Sequence, residues 1–330
     1  MAINELSLFV TGVPRSGTTL LRLLLSAHPA ICIAPEKSFF GWLEKRFGNA
    51  NNLSAQRDEF IEELYKHPNT KFVTWGIEKK TIAARLKQEP ALTYLQAITI
   101  LYQMYALKTY PEAYLLGNKD PSYLYHIETL LKYCPQAKII HIIRDIRAVY
   151  SSTQKKALLK EKIVNQQPIL HVTKHWRQAE RVMEKYKNDK RFYTLHYEKL
   201  VSSPEEQLKK LFAWLGVEYC DSVLKFYEEN ASKKLVPENK YAWHYRTLQP
   251  ITDKQIDAWK TELKQSEIEL LELMNRRRMQ KWGYVRATSF PYWSGVFKLL
   301  SYFSSLVFTK LFKKHSKILL VLNFFLLIFF

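Results

Sequence analysis

The loop Gly12-Val13-Pro14-Arg15-Ser16-Gly17-Thr18-Thr19 has the residue types and spacing of an anion cradle. It follows a β-type run, Leu6–Val10, and opens the apolar helical stretch Thr18–Ala27. Strand, tight loop and helix in that order bring backbone N–H groups onto an anion at the helix N-terminus. The chain has nine glycines, and two of them flank this loop, where the backbone must approach its ligand. GxxxxG is the spacing of a Walker A loop, but Thr18-Thr19 replaces the Lys-Ser/Thr ending and the cation, Arg15, lies inside the loop. A second basic group, Arg144, ends the apolar run Lys138–Ile143. Its guanidinium fork suits a phosphate, and Ser152 in the following helix adds a hydroxyl; the bland alternative pairs Arg144 with Asp145. Lys119 follows a third strand and joins Arg15 as a cation for charge that grows during group transfer.

These groups need a scaffold that delivers strand ends to one edge. The strand candidates are Leu6–Val10, Ile31–Ala34, Tyr114–Leu116, Lys138–Ile143 and Phe192–His196. Helices fit Thr18–Ala27, Glu59–Lys66, Leu92–Tyr110, Tyr123–Tyr133, Ile169–Lys187, Pro204–Leu215, Ser222–Glu229 and a broken Thr252–Gln280. This alternation predicts an α/β fold, a P-loop-type parallel sheet of about five strands flanked by helices. KIIHII, at 138–143, has the continuous apolar pattern of a strand buried on both faces. Ligands of such sheets bind at the carboxyl ends of the strands, where the loop and Arg144 fall. Residues 1–284 form the expected catalytic body, and 285–330 a separate hydrophobic and basic helical appendage.

Composition narrows the class. With 330 residues, 47% hydrophobic and 25% charged, the chain supports a real core, which excludes disordered, collagenous and disulfide-scaffold proteins. Three cysteines (Cys32, Cys134, Cys220), none in a CxxC or Cys/His pair, fit buried free thiols in a reducing compartment and no structural metal. The opening MAINELSLFV has no basic n-region, so no signal peptide or N-terminal anchor is expected. A formal net charge of +19 calls for an anionic partner. Ten basic residues and no acidic one follow Glu272, so over half of the excess belongs to the last 58 residues.

PxRSGTT after the first strand, with IIRDIRAVYSS after a later one, resembles the sulfotransferases that use 3′-phosphoadenosine 5′-phosphosulfate (PAPS). Gly117-Asn118-Lys119-Asp120-Pro121 and His196-Tyr197-Glu198-Lys199-Leu200 extend the resemblance, which covers about residues 7–216. It implies that Arg15, Ser16, Gly17, Thr18 and Thr19 bind the 5′-phosphosulfate. Arg144 and Ser152, eight residues apart as in the family, would hold the 3′-phosphate. Tyr197 would contact the adenine side, unless it is a core tyrosine with a satisfied hydroxyl. The cytosolic small-molecule branch places a histidine base two residues after the lysine, but here that position is Pro121. The phrase Ala27-His28-Pro29-Ala30-Ile31-Cys32-Ile33-Ala34-Pro35-Glu36 instead resembles tyrosylprotein sulfotransferases, which implies Glu36 as general base with Arg15 and Lys119 as catalytic cations. Such a glutamate works if burial raises its pKa or if proton transfer is late. Pairing of Glu36 with Lys37, or capping of the next helix, is the competing structural reading. His28 reads as a capping or packing histidine. Phe39, Phe40 and Trp42 read as core, or else as lining for an acceptor pocket. Lys240 and Arg246 are candidates to close over the nucleotide. Neither the N-terminal anchor nor the lumenal disulfides of tyrosylprotein sulfotransferases are expected here, so the acceptor (phenol, glycan, lipid, small metabolite or peptide) stays open.

A P-loop kinase or hydrolase would need a lysine at position 18 and a carboxylate at the strand end held by Arg144. A nucleic-acid binder would need a recognisable basic or aromatic motif, and none is present. A catalytically inactive membrane-associated nucleotide-binding protein is the third rival. Residues Ile318–Phe330 carry twelve apolar residues, one Asn and no charge. They would form a helix of about 20 Å, short of a full span. With Lys310, Lys313, Lys314 and Lys317 before them, the tail is expected to associate with the cytoplasmic face of an anionic membrane. Oligomeric state is not legible.

Overall fold

The computed structural model describes residues 6–49, 52–66, 72–159, 168–236, 244–289, 292–298 and 300–301. Lys240 and the tail from 302 onward lie outside these residues. The chain forms two compact units: residues to Arg144 together with Gln178–Asp253, and Asp145–Arg177 together with the chain from Lys254.

The first unit holds a five-stranded parallel sheet: β1 (Leu6–Gly12), β2 (Ile31–Ala34), β3 (Leu115–Lys119), β4 (Lys138–Ile143) and β5 (Phe192–His196). Its order is β2-β3-β1-β4-β5, with β1 paired to β3 on one side and β4 on the other. Three of the strands match the sequence ranges residue for residue, and β1 runs on to Gly12. The third does not match. Expected at Tyr114–Leu116, it covers Leu115–Lys119, so Lys119 is its last residue rather than a follower. Gly, Asn and Lys in succession hide the strand from a hydrophobicity pattern. Gly117 is required because a Cβ there would lie 1.6 Å from the Leu8 carbonyl oxygen of β1.

Helices flank the sheet: α1 (Thr18–Ser26), α2 (Arg57–Lys66), α3 (Lys79–Lys87), α4 (Tyr94–Thr109), α5 (Ile127–Tyr133), and, after β5, α8 (Tyr197–Ser202), α9 (Pro204–Leu215) and α10 (Phe226–Lys233). Thr93 starts α4 with a capping box: Thr93 N–H donates to Gln96 Oε1 at 2.8 Å and Gln96 N–H donates to Thr93 Oγ1 at 3.2 Å. Proline at the first position and Gly216 in the left-handed region bound α9. The expected helix Tyr123–Tyr133 divides into a 3₁₀ turn at Pro121–Tyr125 and α5. Phe39 and Phe40, alternatives for an acceptor pocket, are fully buried among Phe9, Phe72, Trp75, Tyr102 and Tyr123. They are core. His28 packs as expected: Ala30 N–H donates to its Nδ1 at 3.1 Å, Nε2 lies 2.9 Å from the Glu218 carbonyl, and the ring meets Phe212.

In the second unit α6 (Ile146–Leu158) and α11 (Gln265–Lys281) pack together, joined by the first part of α7 (Pro168–Tyr186), a helix that ends in the first unit. Asp145 caps α6 by accepting from Arg147 N–H at 2.8 Å. The buried Arg147 guanidinium pairs with Asp145 and Glu272 and lies over the Trp259 ring at 3.9 Å.

Candidate active site

In the first unit, the loop 13–17 and the side chains of Glu36, Lys119, Arg144 and Tyr197 lie at or just past the carboxyl end of a strand. Residues 13–17 follow β1, Glu36 follows β2, Lys119 ends β3, Arg144 follows β4 and Tyr197 follows β5. A parallel sheet delivers them to one edge whatever their distance in sequence.

The loop is built for close approach. Gly17 caps α1 in the left-handed region (φ 96°) with no side-chain cap, leaving the first-turn N–H groups of α1 unclaimed by side chains. A Cβ on Gly17 would lie 2.5 Å from the Tyr197 ring. Arg15 also has positive φ (77°), an uncommon state for a side-chain-bearing residue that turns the loop inside one peptide. Ser16 is fully buried and its hydroxyl has no hydrogen-bond partner, a polar group left in reserve at the loop. Thr18 is buried and Thr19 partly so.

Cations converge on the loop. Arg144 Nη1 donates to the Arg15 carbonyl at 3.1 Å, and its guanidinium lies 4.1 Å from the Tyr197 ring centre. Burial, then the charges of Arg144 and Arg246, bring the Arg15 pKa down to about 10. The mutual repulsion of these positive charges is unfavourable, and an anion relieves it. Arg246, expected to close over a nucleotide, thus contributes to the same field. Ser152 lies on α6 in the second unit.

Across the edge, Lys119 is buried and forms an ion pair with Glu36, whose side chain is 50% exposed. Lys37, the next residue, donates to Thr74 Oγ1 at 2.9 Å. Glu36 is not buried, so that condition for a glutamate base is not met. The flanking residues hold this turn in place. Asn118 Nδ2 donates to the carbonyls of Ala34 (3.0 Å) and Pro35 (2.9 Å), while Tyr123 donates to Asn118 Oδ1. Asp120 Oδ2 accepts from Ser38 at 3.2 Å. Burial, then the charge of Glu36, raises the Asp120 pKa. Sequence reasoning assigned only Lys119 in this segment. An Asn inside the strand and an Asp directly after it are the signal that polar side chains are needed there.

The model of the Sulfotransferase family matches residues 7–221, more than half of the chain, and the chain belongs to that family of group-transfer enzymes. A putative protein-tyrosine sulfotransferase of Caenorhabditis briggsae is 27% identical over 232 residues, covering 68% of this chain and 70% of that protein. The protein-tyrosine sulfotransferase of Drosophila melanogaster is 26% identical over 258 residues, 76% of this chain but 46% of its own length, so the chain spans about half of that relative. The sulfotransferase domain of the curacin biosynthetic pathway shares the fold, with a TM-score of 0.57 at 19% identity over 85% of this chain and 98% of that domain.

Proposed function

We propose that the protein transfers the sulfuryl group of PAPS to an acceptor hydroxyl, with Glu36 as general base and Arg15 and Lys119 as charge stabilisers. The observation that carries this reading is the Glu36–Lys119 pair set beside the arginine-bearing loop at one sheet edge. PAPS supplies an activated sulfuryl group on a good leaving phosphate. The residues fit it: the first-turn N–H groups of α1, the spare Ser16 hydroxyl and Arg15 suit the phosphosulfate. Arg144, fixed over Tyr197, suits the 3′-phosphate, and Tyr197 the adenine side. Ser152 keeps its candidacy on sequence spacing alone. The half-exposed carboxylate of Glu36 leaves the acceptor a way in and takes its proton late, as the hydroxyl oxygen becomes acidic. Lys119 and Arg15 present positive charge to the oxygens on which negative charge grows.

Turnover of PAPS, screened against phenols, lipids, glycans and acidic tyrosine peptides, tests the reading. Glu36→Gln should lower turnover by roughly 10²–10⁴ with nucleotide affinity kept. Arg15→Ala should lower it by about 10²–10³. Near-normal turnover in either variant removes that role; nucleotide binding by the wild type without turnover of any acceptor favours the inactive-scaffold reading.

The second part of the proposal concerns location. No helix among the described residues is long and apolar enough to cross a membrane. The acid-free basic stretch and the apolar 318–330 end support association with the cytoplasmic face of an anionic membrane.

A further inference from the structure

We propose that residues 292–298 with 300–301 are the face by which the protein sits on an anionic lipid surface, with Trp293, Phe297 and Leu300 entering the interface. The inference rests on the membrane reading of the tail and assigns it a site in the folded part of the chain. One side of this segment is fixed to α11. Ser294 Oγ and Gly295 N–H both donate to Glu269 Oε2, at 2.6 and 2.9 Å, and Lys298 Nζ lies 3.2 Å from Glu267 Oε1. Tyr292 is buried. A Cβ on Gly295 would stand 2.8 Å from the Leu270 backbone nitrogen, so the glycine lets the segment lie directly on the helix.

The other side is apolar and open. Trp293, Phe297 and Leu300, spaced i, i+4 and i+7 on one helical face, are 64%, 67% and 55% exposed. Large apolar groups held in water by a segment pinned on its opposite side need an outside partner. Charge selects which one. The acids of this region, Glu267, Glu269 and Glu272, are buried beneath the segment or the turn before it. The exposed charges nearby in sequence, Arg276, Arg277, Lys281 and Arg286, are all positive. A second copy would bring like charge against like charge, whereas an anionic leaflet accepts both the cations and the aromatic edge. The chain also continues from this face into Lys310, Lys313, Lys314, Lys317 and the apolar 318–330.

The test is co-sedimentation of the full chain with vesicles of phosphatidylcholine alone or with about 30% phosphatidylserine. The wild type should partition to the mixed vesicles. The combined Trp293→Ser, Phe297→Ser and Leu300→Ser variant should partition about tenfold less or weaker still, with melting temperature and nucleotide affinity unchanged. Leu158→Ser, at an equally exposed apolar site elsewhere, should bind vesicles as the wild type does. Wild-type partitioning by the triple variant overturns the assigned face and leaves the tail reading standing. Failure of the wild type to bind either vesicle overturns both. A triple variant that melts early, or that loses self-association while still binding vesicles, overturns the face in favour of internal packing or a second copy.

Discussion

Arg15 carries its charge in the field of two further arginines, Arg144 and Arg246. Burial, with Arg144 and Arg246 adding to it, holds its pKa at about 10, so it stays charged at neutral pH at a standing cost. An anion favours the charged form. Affinity for 3′-phosphoadenosine 5′-phosphate should therefore be level to about pH 9 and fall as pH rises through about 10, with proton uptake on binding near that value. Calorimetry in buffers of different ionisation heat measures both, and affinity unchanged to pH 10.5 or beyond would take Arg15 out of contact with the ligand. The loop and its arginine were legible because each follows a strand in sequence. The Asn118 and Asp120 tethers were not. Their partners Ala34, Pro35 and Ser38 lie some 80 residues earlier, and only the pairing of β2 with β3 brings them together.

Among the elements, β3 shows how backbone proximity outranks side-chain pattern. Gly117→Ala would drive a Cβ into the Leu8 carbonyl, and β1 and β3 could not both keep their register. The expected loss is about 4 kcal/mol or more. Gly216→Ala, at φ 77° with nothing within 4 Å, should cost only about 1 kcal/mol of left-handed strain. Urea denaturation of the two variants gives the contrast directly; equal losses would mean that crowding at β3 relaxes. In the second unit α11 holds its neighbours through a buried acid. Glu272 accepts from Arg147 and from the backbone of Ala287 and Thr288. Glu272→Ala should cost about 3–5 kcal/mol and make limited proteolysis begin near residues 285–289. Resistance there equal to the wild type would show that the turn is held by other contacts.

For the molecule as a whole, burial of histidine contributes to loss of stability in acid. His141, in the middle of β4 and fully buried, has its pKa brought down to about 3 by desolvation; burial also lowers His126, His175 and His196. The unfolded chain takes up these protons near pH 6.5 and the folded chain does not. Stability is therefore full above about pH 6.5 and falls as pH drops, His141 alone removing about 1.4 kcal/mol per pH unit below it. Urea midpoints at pH 7.5, 6 and 5 should decline in the wild type and decline less in His141→Asn; parallel slopes would discount His141.

What the chain by itself determined is the parallel α/β order, the loop, and the candidate residues at strand ends, because these follow from local patterning and from neighbours in sequence. Tertiary structure alone decided that Lys119 ends a strand, that Glu36 pairs with it, and that Phe39 and Phe40 are core. It also decided that Trp293, Phe297 and Leu300 face outward. Each of these depends on which distant backbone lies a few ångströms away, and a linear pattern of residue types does not carry that distance.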